Sequence, residues 1–247
     1  MKSINHNISA VILAGGRGTR LSALTKGHQK CLQKFEGKPF LSYLIDQLRS
    51  FNINEFYIMT GYRSQDVINT LNNYNNITIH FIKEKEPLGT GGCLKLLESK
   101  IHDENLLILN GDTYLDITKE MFNLSIDTNN LDKIDSLFFL GKSFSKEGKV
   151  SIIKKKDNNN IYFQKKDLNN LSDNYINNCF SGWALIPPKL IQRFPSGKYN
   201  FEEMFEIIQN TTTLNSKTFQ TNTYFYDFGT PNRYKQLSHF FKTRNNQ

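Results

Sequence analysis

Apolar residues recur along this chain in two rhythms. In the first half, short uninterrupted runs appear at Ile8 with Val11, Ile12 and Leu13, at Glu55 to Thr60 (EFYIMT) and at Leu106 to Leu109 (LLIL). Runs this short and dense predict strands buried on both faces, as in a parallel sheet. Between them the spacing becomes helical. Leu41, Leu44, Ile45 and Leu48 follow Gly37-Lys38-Pro39, which opens a helix with Pro39 in its first turn. Val67, Ile68 and Leu71 mark a second helix over Gln65 to Leu71, and Ile77 to Ile82 alternates as a further strand. Strands and helices taking turns in this way predict an α/β protein with a mixed, mostly parallel central sheet and helices on both faces.

Past residue 120 the pattern changes. Ser136 to Leu140, Val150 to Ile153 and Ile161 to Phe163 read as strands, separated by Lys- and Asn-rich hairpin tips such as KKKDNNN at 154–160. Asn169 to Asn178 reads as a polar loop. Cys179 to Ile186 is a strand interrupted by Gly182 and ended by Pro187-Pro188, with Trp183 placed in the core. Asn200 caps a helix in which Phe201, Met204, Phe205 and Ile208 share a face. Thr223 to Phe228 is the last strand, and Pro231 starts a closing helix through Phe240. No repeat and no linker divide the chain, so it is expected to form a single domain over 1–247, with a parallel half at 1–120 and a mixed half at 121–247.

Composition narrows the choices. A chain of 247 residues with 38% hydrophobic and 22% charged residues is long enough and apolar enough to bury one sizeable core. The formal charge of +8 admits nucleic acid, a pocket for triphosphate and sugar phosphate, or merely a Lys- and Asn-rich background. Apart from Lys154 to Lys156 and Lys165-Lys166 the lysines are scattered, which argues against a nucleic-acid track. Cys31, Cys93 and Cys179 have no metal-binding spacing and fit reduced thiols in the cytoplasm. The apolar run near the N-terminus merges into GGRGTR, and no stretch is long enough for a membrane span.

The candidate chemistry lies where the apolar runs end. Ile8 to Leu13 runs into Ala14, Gly15, Gly16, Arg17, Gly18, Thr19 and Arg20, where glycines admit backbone N–H groups to an anion and arginines add guanidinium forks. The stretch lacks the third glycine of G-x-G-x-x-G and the Gly-Lys-Ser/Thr ending of a P-loop. Glu84 to Cys93 (EKEPLGTGGC) packs three glycines into four residues, which implies close backbone approach to a ligand or to another segment. Leu106 to Leu109 ends in Asn110-Gly111-Asp112, with Asp112 at a sheet's carboxyl edge, where α/β folds bind ligands. An aspartate there suits either a turn or Mg²⁺ held against phosphates. The five histidines are scattered and sit in no nucleophile motif.

With these stretches in order, the chain resembles the sugar-1-phosphate nucleotidylyltransferases. LAGGRGTRL at 13–21, EPLGTGG at 86–92, NGDTYLD at 110–116 and DFGTP at 227–231 carry the resemblance, together with GKPFL at 37–41. It implies a Rossmann-like nucleotide-diphospho-sugar transferase fold, Mg²⁺, and the joining of an NTP and a sugar 1-phosphate into an NDP-sugar and pyrophosphate. By position, Leu13, Ala14, Gly15, Gly16, Gly18, Thr19 and Arg20 would bind the nucleotide, with Glu84, Gly89 and Gly92 bordering the base. Arg17 and Lys30 would grip phosphate, and Asp112 and Asp227 would hold the metal. Gly111, Lys165, Gly182 and Glu202 would face the sugar phosphate. Residues 1–120 would then be the nucleotide half and 121–247 the sugar-phosphate half, in a chain with no nucleic-acid or membrane partner and room for a homodimer. The chain departs from the family at Gln29-Lys30-Cys31, where the family has Pro-Lys-Pro, at Gln164-Lys165, where it has Glu-Lys, and at Phe180-Ser181-Gly182, where it has Asn-Ala-Gly. Within the family, GKPFLSYLIDQL and EPLGTGG are most similar to heptose-1-phosphate guanylyltransferases, which favours GTP. Mannose-1-phosphate guanylyltransferases, short uridylyl- or cytidylyltransferases and an inactive nucleotide-binding module are the alternatives.

Overall fold

A computed structural model describes residues 7–16, 27–101, 105–144, 150–154, 161–165 and 176–244. Arg17, Gly18, Thr19 and Arg20 therefore lie outside the described residues. In chain order the elements are β1 (Ile8–Leu13), β2 (Lys34–Phe35), β3 (Lys38–Pro39), α1 (Phe40–Ser50), β4 (Glu55–Thr60), α2 (Ser64–Leu71) and β5 (Thr78–Lys83). Then come α3 (Gly89–Gly92), continued by a 3-10 turn over Cys93–Leu97, β6 (Asn105–Asn110), β7 (Thr113–Leu115), α4 (Lys119–Asn129) and β8 (Ser136–Ser143). The chain closes with β9 (Val150–Lys154), β10 (Ile161–Lys165), β11 (Ile176–Ile186), α5 (Pro188–Gln192), α6 (Phe201–Thr211), β12 (Ser216–Asp227) and α7 (Pro231–Arg244).

The main sheet runs β5-β4-β1-β6-β11-β8-β12-β7, and the β9–β10 hairpin joins it at β11. β5, β4, β1 and β6 are parallel, whereas β11 is antiparallel to both β6 and β8. The alternation of side chains across a strand explains why the early runs are apolar throughout. Ala10, Ile12, Phe56, Ile58, Leu107 and Leu109 enter one core with α1, α2, α4 and α7. Val11, Tyr57, Met59, Leu106 and Ile108 enter the other, under the Cys93–Leu97 turn, α5 and α6. Trp183 is fully buried, as its placement in the core anticipates.

Several boundaries differ from the sequence reading, three of them for a visible reason. The first helix begins at Phe40, because Lys38–Pro39 pairs with Lys34–Phe35 across a Glu36-Gly37 turn in which both residues have positive φ. β11 starts at Ile176, where it pairs with Ser143, so Asn177 and Asn178 belong to a strand and not to the polar loop. β12 begins at Ser216, seven residues early: its polar first half is a half-exposed partner of β8, and the irregularity at Gln220–Tyr224 includes Asn222 with φ 57°. Among the described residues no helix is long and apolar enough to cross a membrane.

The three glycines of α3 meet backbone. A Cβ at Gly92 would lie 2.1 Å from the Gly197 carbonyl oxygen, and one at Gly91 would lie 2.5 Å from that of Asn200. Gly91 and Gly92 also donate their N–H groups to the Tyr199 carbonyl at 3.0 and 3.2 Å. Gly92 has φ −60° and ψ −33°, ordinary helical values that alanine would adopt with a gain of about 1 kcal/mol in propensity. The clash with a backbone oxygen outweighs that gain. Gly92→Ala is expected to lose on the order of 1–3 kcal/mol of stability in chemical denaturation; an unchanged midpoint would show that the contact with residues 197–200 yields easily.

Candidate functional site

Backbone hydrogen bonds continue the parallel ladder past the strand ends. Ala14 N–H donates to Met59 O at 2.9 Å, Gly111 N–H to Leu13 O at 3.1 Å, and Glu84 N–H to Thr60 O at 2.8 Å. The segments after β1, β5 and β6 are thus fixed side by side at the carboxyl edge of the sheet. They enclose a cleft of about 510 Å³, a size that suits a nucleotide-scale ligand. Leu13, Ala14, Gly15, Gly16, Lys30, Glu84, Gly89, Gly111 and Asp112 all line it, as do Asn110 and Thr90, which the sequence did not single out.

Each glycine of the Gly15-Gly16 pair meets a different surrounding. A Cβ at Gly15 would come within 2.3 Å of Glu84 Oε1, so the carboxylate lies directly over its Cα. Among the described residues, Gly16 has nothing within 4 Å of that position, and it lines the cleft. Glu84 accepts the Leu88 N–H at 2.9 Å through its other oxygen, and its partial burial raises its pKa above the usual glutamate range.

Lys30 enters the cleft from a single 3-10 turn, Lys30–Leu32. Gln29, before it, is fully buried and donates its side-chain amide to the Ala14 carbonyl. This hydrogen bond ties the lysine loop to the end of β1 in a chain that lacks the rigid Pro-Lys-Pro arrangement. The Lys30 ammonium pairs with Asp112 and lies 5.3 Å from the centroid of the buried Phe228 ring. Cys31 and Cys93 also line the cleft, but burial pushes the Cys31 thiol up to about 12 and the Cys93 thiol higher still, so both remain protonated.

Asp227 reaches the same edge from the far end of the sheet. β12 pairs with β7 so that Asp227 lies opposite Thr113, the neighbour of Asp112. Its Oδ1 accepts an Arg233 N–H at 2.7 Å and the Gly229 N–H at 3.2 Å. A Cβ at Gly229 would lie 3.4 Å from Asp227 Oδ1, 3.5 Å from the Arg233 guanidinium and 3.7 Å from Lys30 Nζ. Asp227, Arg233 and Lys30 therefore meet around Gly229, and Asp112 joins them through its pair with Lys30. Arg233 belongs to no motif visible in the sequence; its only signal is its place in the first turn of α7, three residues after Thr230.

Among the described residues no group of three or more His, Cys, Asp or Glu forms a metal cage. A magnesium-type cation needs only one or two carboxylates when substrate phosphates complete its shell. Asp112 and Asp227, linked through Lys30 at the Gly229 turn, supply that number of carboxylates.

The remaining sequence candidates are spread more widely. Gly182 has φ +78° at the irregularity in β11, and a Cβ there would come within 2.4 Å of the Asn110 amide, so this glycine makes room for a cleft side chain. Glu202 sits in the first turn of α6, whose N-terminal Phe201 N–H donates to Thr90 Oγ1 at 3.0 Å. Glu202, Gly92 and Asp227 do not line the cleft; Asp227 lines a separate small pocket together with Arg233. Lys165 ends β10, opposite Val150.

The model of the family described as "Nucleotidyl transferase" matches residues 9–244. D-glycero-alpha-D-manno-heptose 1-phosphate guanylyltransferase of Aneurinibacillus thermoaerophilus is 33% identical, over 94% of this chain and 100% of its own. The enzyme of the same name from Campylobacter jejuni is 28% identical over 92% of this chain and 97% of its own. The crystal structure of HddC from Yersinia pseudotuberculosis complexed with GMP-PN has a TM-score of 0.74 and 27% identity, covering 95% of this chain and 99% of that one.

The raised pKa of Glu84 has a consequence for folding. The folded state holds the Glu84 proton more tightly than the unfolded chain, so the stability linked to this group is complete at low pH and is lost as pH rises through the raised value. Glu84→Gln removes that loss. Relative to wild type, the variant is expected to gain in denaturation midpoint on going from pH 4 to pH 7; a difference independent of pH would show that the carboxyl is not desolvated.

Proposed function

Because the chain belongs to the nucleotidyl transferase family, we propose that it transfers a nucleotidyl group, from GTP by preference, to a sugar 1-phosphate, releasing pyrophosphate. Heptose 1-phosphate is the favoured acceptor, supported by the two relatives named for that reaction. Mannose 1-phosphate is the next choice, since mannose-1-phosphate guanyltransferase of Debaryomyces hansenii is 36% identical over 44% of this chain. The observation that carries the reading is the convergence of Lys30, Asp112 and Asp227 beside the glycine-lined cleft.

In this reading the nucleotide lies along Leu13 to Gly16 with its base toward Glu84 and Gly89. An ionised Glu84 offers only acceptors, which suits the N–H donors on the guanine edge. Magnesium, held by Asp112 and Asp227, would supply charge neutralisation on the phosphates. An oxygen of the sugar phosphate bonds to the α-phosphorus as the bond to the β-phosphate oxygen breaks, and pyrophosphate leaves with that electron pair. The acceptor is already anionic, its second pKa being about 6, so the reaction calls for no general base. Lys30 leaves Asp112 to meet the phosphates, and catalysis is positioning plus charge stabilisation. By the family resemblance, Arg17 and Lys165 would add positive charge on the phosphates. The three cysteines are buried free thiols, in keeping with work in a reducing cytoplasm.

A panel of four NTPs against several sugar 1-phosphates, read by released pyrophosphate, tests this directly. GTP with heptose 1-phosphate is expected to turn over fastest, and Asp112→Asn, Asp227→Asn and Lys30→Ala are each expected to lower the rate on the order of 10²-fold or more. Nucleotide binding without turnover on any acceptor would instead support a regulatory module.

A further inference from the structure

Gln29 is fully buried, yet only half of its side-chain amide is used. The NH₂ group donates to the Ala14 carbonyl, whereas the buried Oε1 has no hydrogen-bond partner among the described residues. An orphaned buried acceptor costs stability, and an apolar side chain of similar length would avoid that cost. What an apolar residue could not supply is the bond to Ala14. The polar group at this position is therefore explained by what that bond holds in place.

It holds two things. Ala14 is fixed on both sides, since its N–H donates to Met59 O at 2.9 Å and its carbonyl accepts from Gln29. The Ala14–Gly15 peptide is trans, so the Gly15 N–H points opposite to the clamped carbonyl, away from Gln29. Gly15 lines the cleft, and its N–H has no hydrogen-bond partner among the described residues. On its other side, the Gln29 carbonyl accepts the Leu32 N–H at 3.1 Å and closes the 3-10 turn that begins at Lys30. Lys30 lines the same cleft as Gly15. One buried residue thus fixes an open backbone donor and a cation at the same sheet edge.

Resting on the phosphate-binding role read above for this cleft, we propose that Gln29 is a positioning residue that aims the Gly15 N–H and the Lys30 ammonium at one phosphate group. With the Ala14 carbonyl clamped, the peptide cannot turn over, and its N–H is oriented before the anion arrives. That preorganisation spares the ordering cost a free peptide would incur on binding. The bond it offers to a phosphate oxygen is charge-assisted, as is the one from Lys30. Proline would stiffen this loop by a different route. Gln29 has φ −60° and ψ 132°, values a proline adopts, and its own N–H donates to nothing among the described residues. A proline could not, however, donate to Ala14.

Ala14–Gly15 is the single Ala-Gly step in the chain. Labelling alanine carbonyls with ¹³C and glycine nitrogens with ¹⁵N therefore isolates one amide signal by NMR, from the peptide in question. The probe is inorganic pyrophosphate without metal. In wild type the Gly15 signal is expected to shift on titration. Gln29→Met, similar in length and without a donor, is expected to bind pyrophosphate at least about tenfold more weakly and to lose most of the Gly15 shift. Its denaturation midpoint is expected to stay close to that of wild type. Gln29→Pro, which stiffens the loop without donating, is expected to lose the Gly15 shift as well. Wild-type affinity in Gln29→Met overturns the proposal, as does a full Gly15 shift in Gln29→Pro. A large fall in midpoint in both variants also overturns it, since it would make Gln29 a residue of the core alone. Turnover on the substrate panel is read separately. Turnover with no shift at Gly15 removes the role of Gln29 and keeps the enzymatic reading; a Gln29-dependent shift with no turnover does the reverse.

Discussion

Parallel pairing of β1 with both β4 and β6 is the constraint from which the cleft follows. The register sets Leu13 beside Met59 on one side and Asn110 on the other. All these strands end at one edge, so the segments that follow are delivered together. Hydrogen bonds from Ala14, Glu84 and Gly111 then extend the ladder beyond the strands. Loops held this way have little freedom, and the site they line is shaped before a ligand arrives. A shift of one residue in β1 would exchange Val11 for its neighbours between two closed cores, which fixes the register more firmly than hydrogen bonding alone.

The second constraint is electrostatic. Two aspartates far apart in the chain reach one edge because β12 crosses to pair with β7, bringing Asp227 opposite Thr113. Each carboxylate there is neutralised by a cation of the chain, Asp112 by Lys30 and Asp227 by Arg233. The Phe228 ring, buried beneath Lys30, adds an electron-rich face on the cation's apolar side. DFGTP thus contributes more than an acid: its aromatic and glycine positions hold the cations of the cluster at contact distance.

Much of this was legible in the sequence. The buried strands were visible because each faces apolar surroundings on both sides, and the cleft residues followed from where those strands stop. The start of α1 was missed because Lys38–Pro39 serves a two-residue hairpin, a pairing with no periodicity to detect. The start of β12 was hidden by its polar, half-exposed residues. Arg233 and Gln29 were invisible as site residues for a different reason: each acts through one long-range hydrogen bond, to Asp227 and to Ala14, which nothing local encodes. The glycines of EPLGTGG stand out in the sequence, and the structure places Gly91 and Gly92 against the backbone of residues 197–200.

The β9–β10 hairpin stands apart from this economy of fixed contacts. Its described pairing to the sheet runs through Cys179 and Ser151 alone, off the path that links β6 to β8. Beyond that pairing, Phe163 of β10 packs on Phe138, Phe180 and Phe205. Over evolutionary time its length and chemistry are free to drift while the two cores and the aspartate edge stay intact. In a lineage of such chains, changes of length and sequence would accumulate first on this appendage.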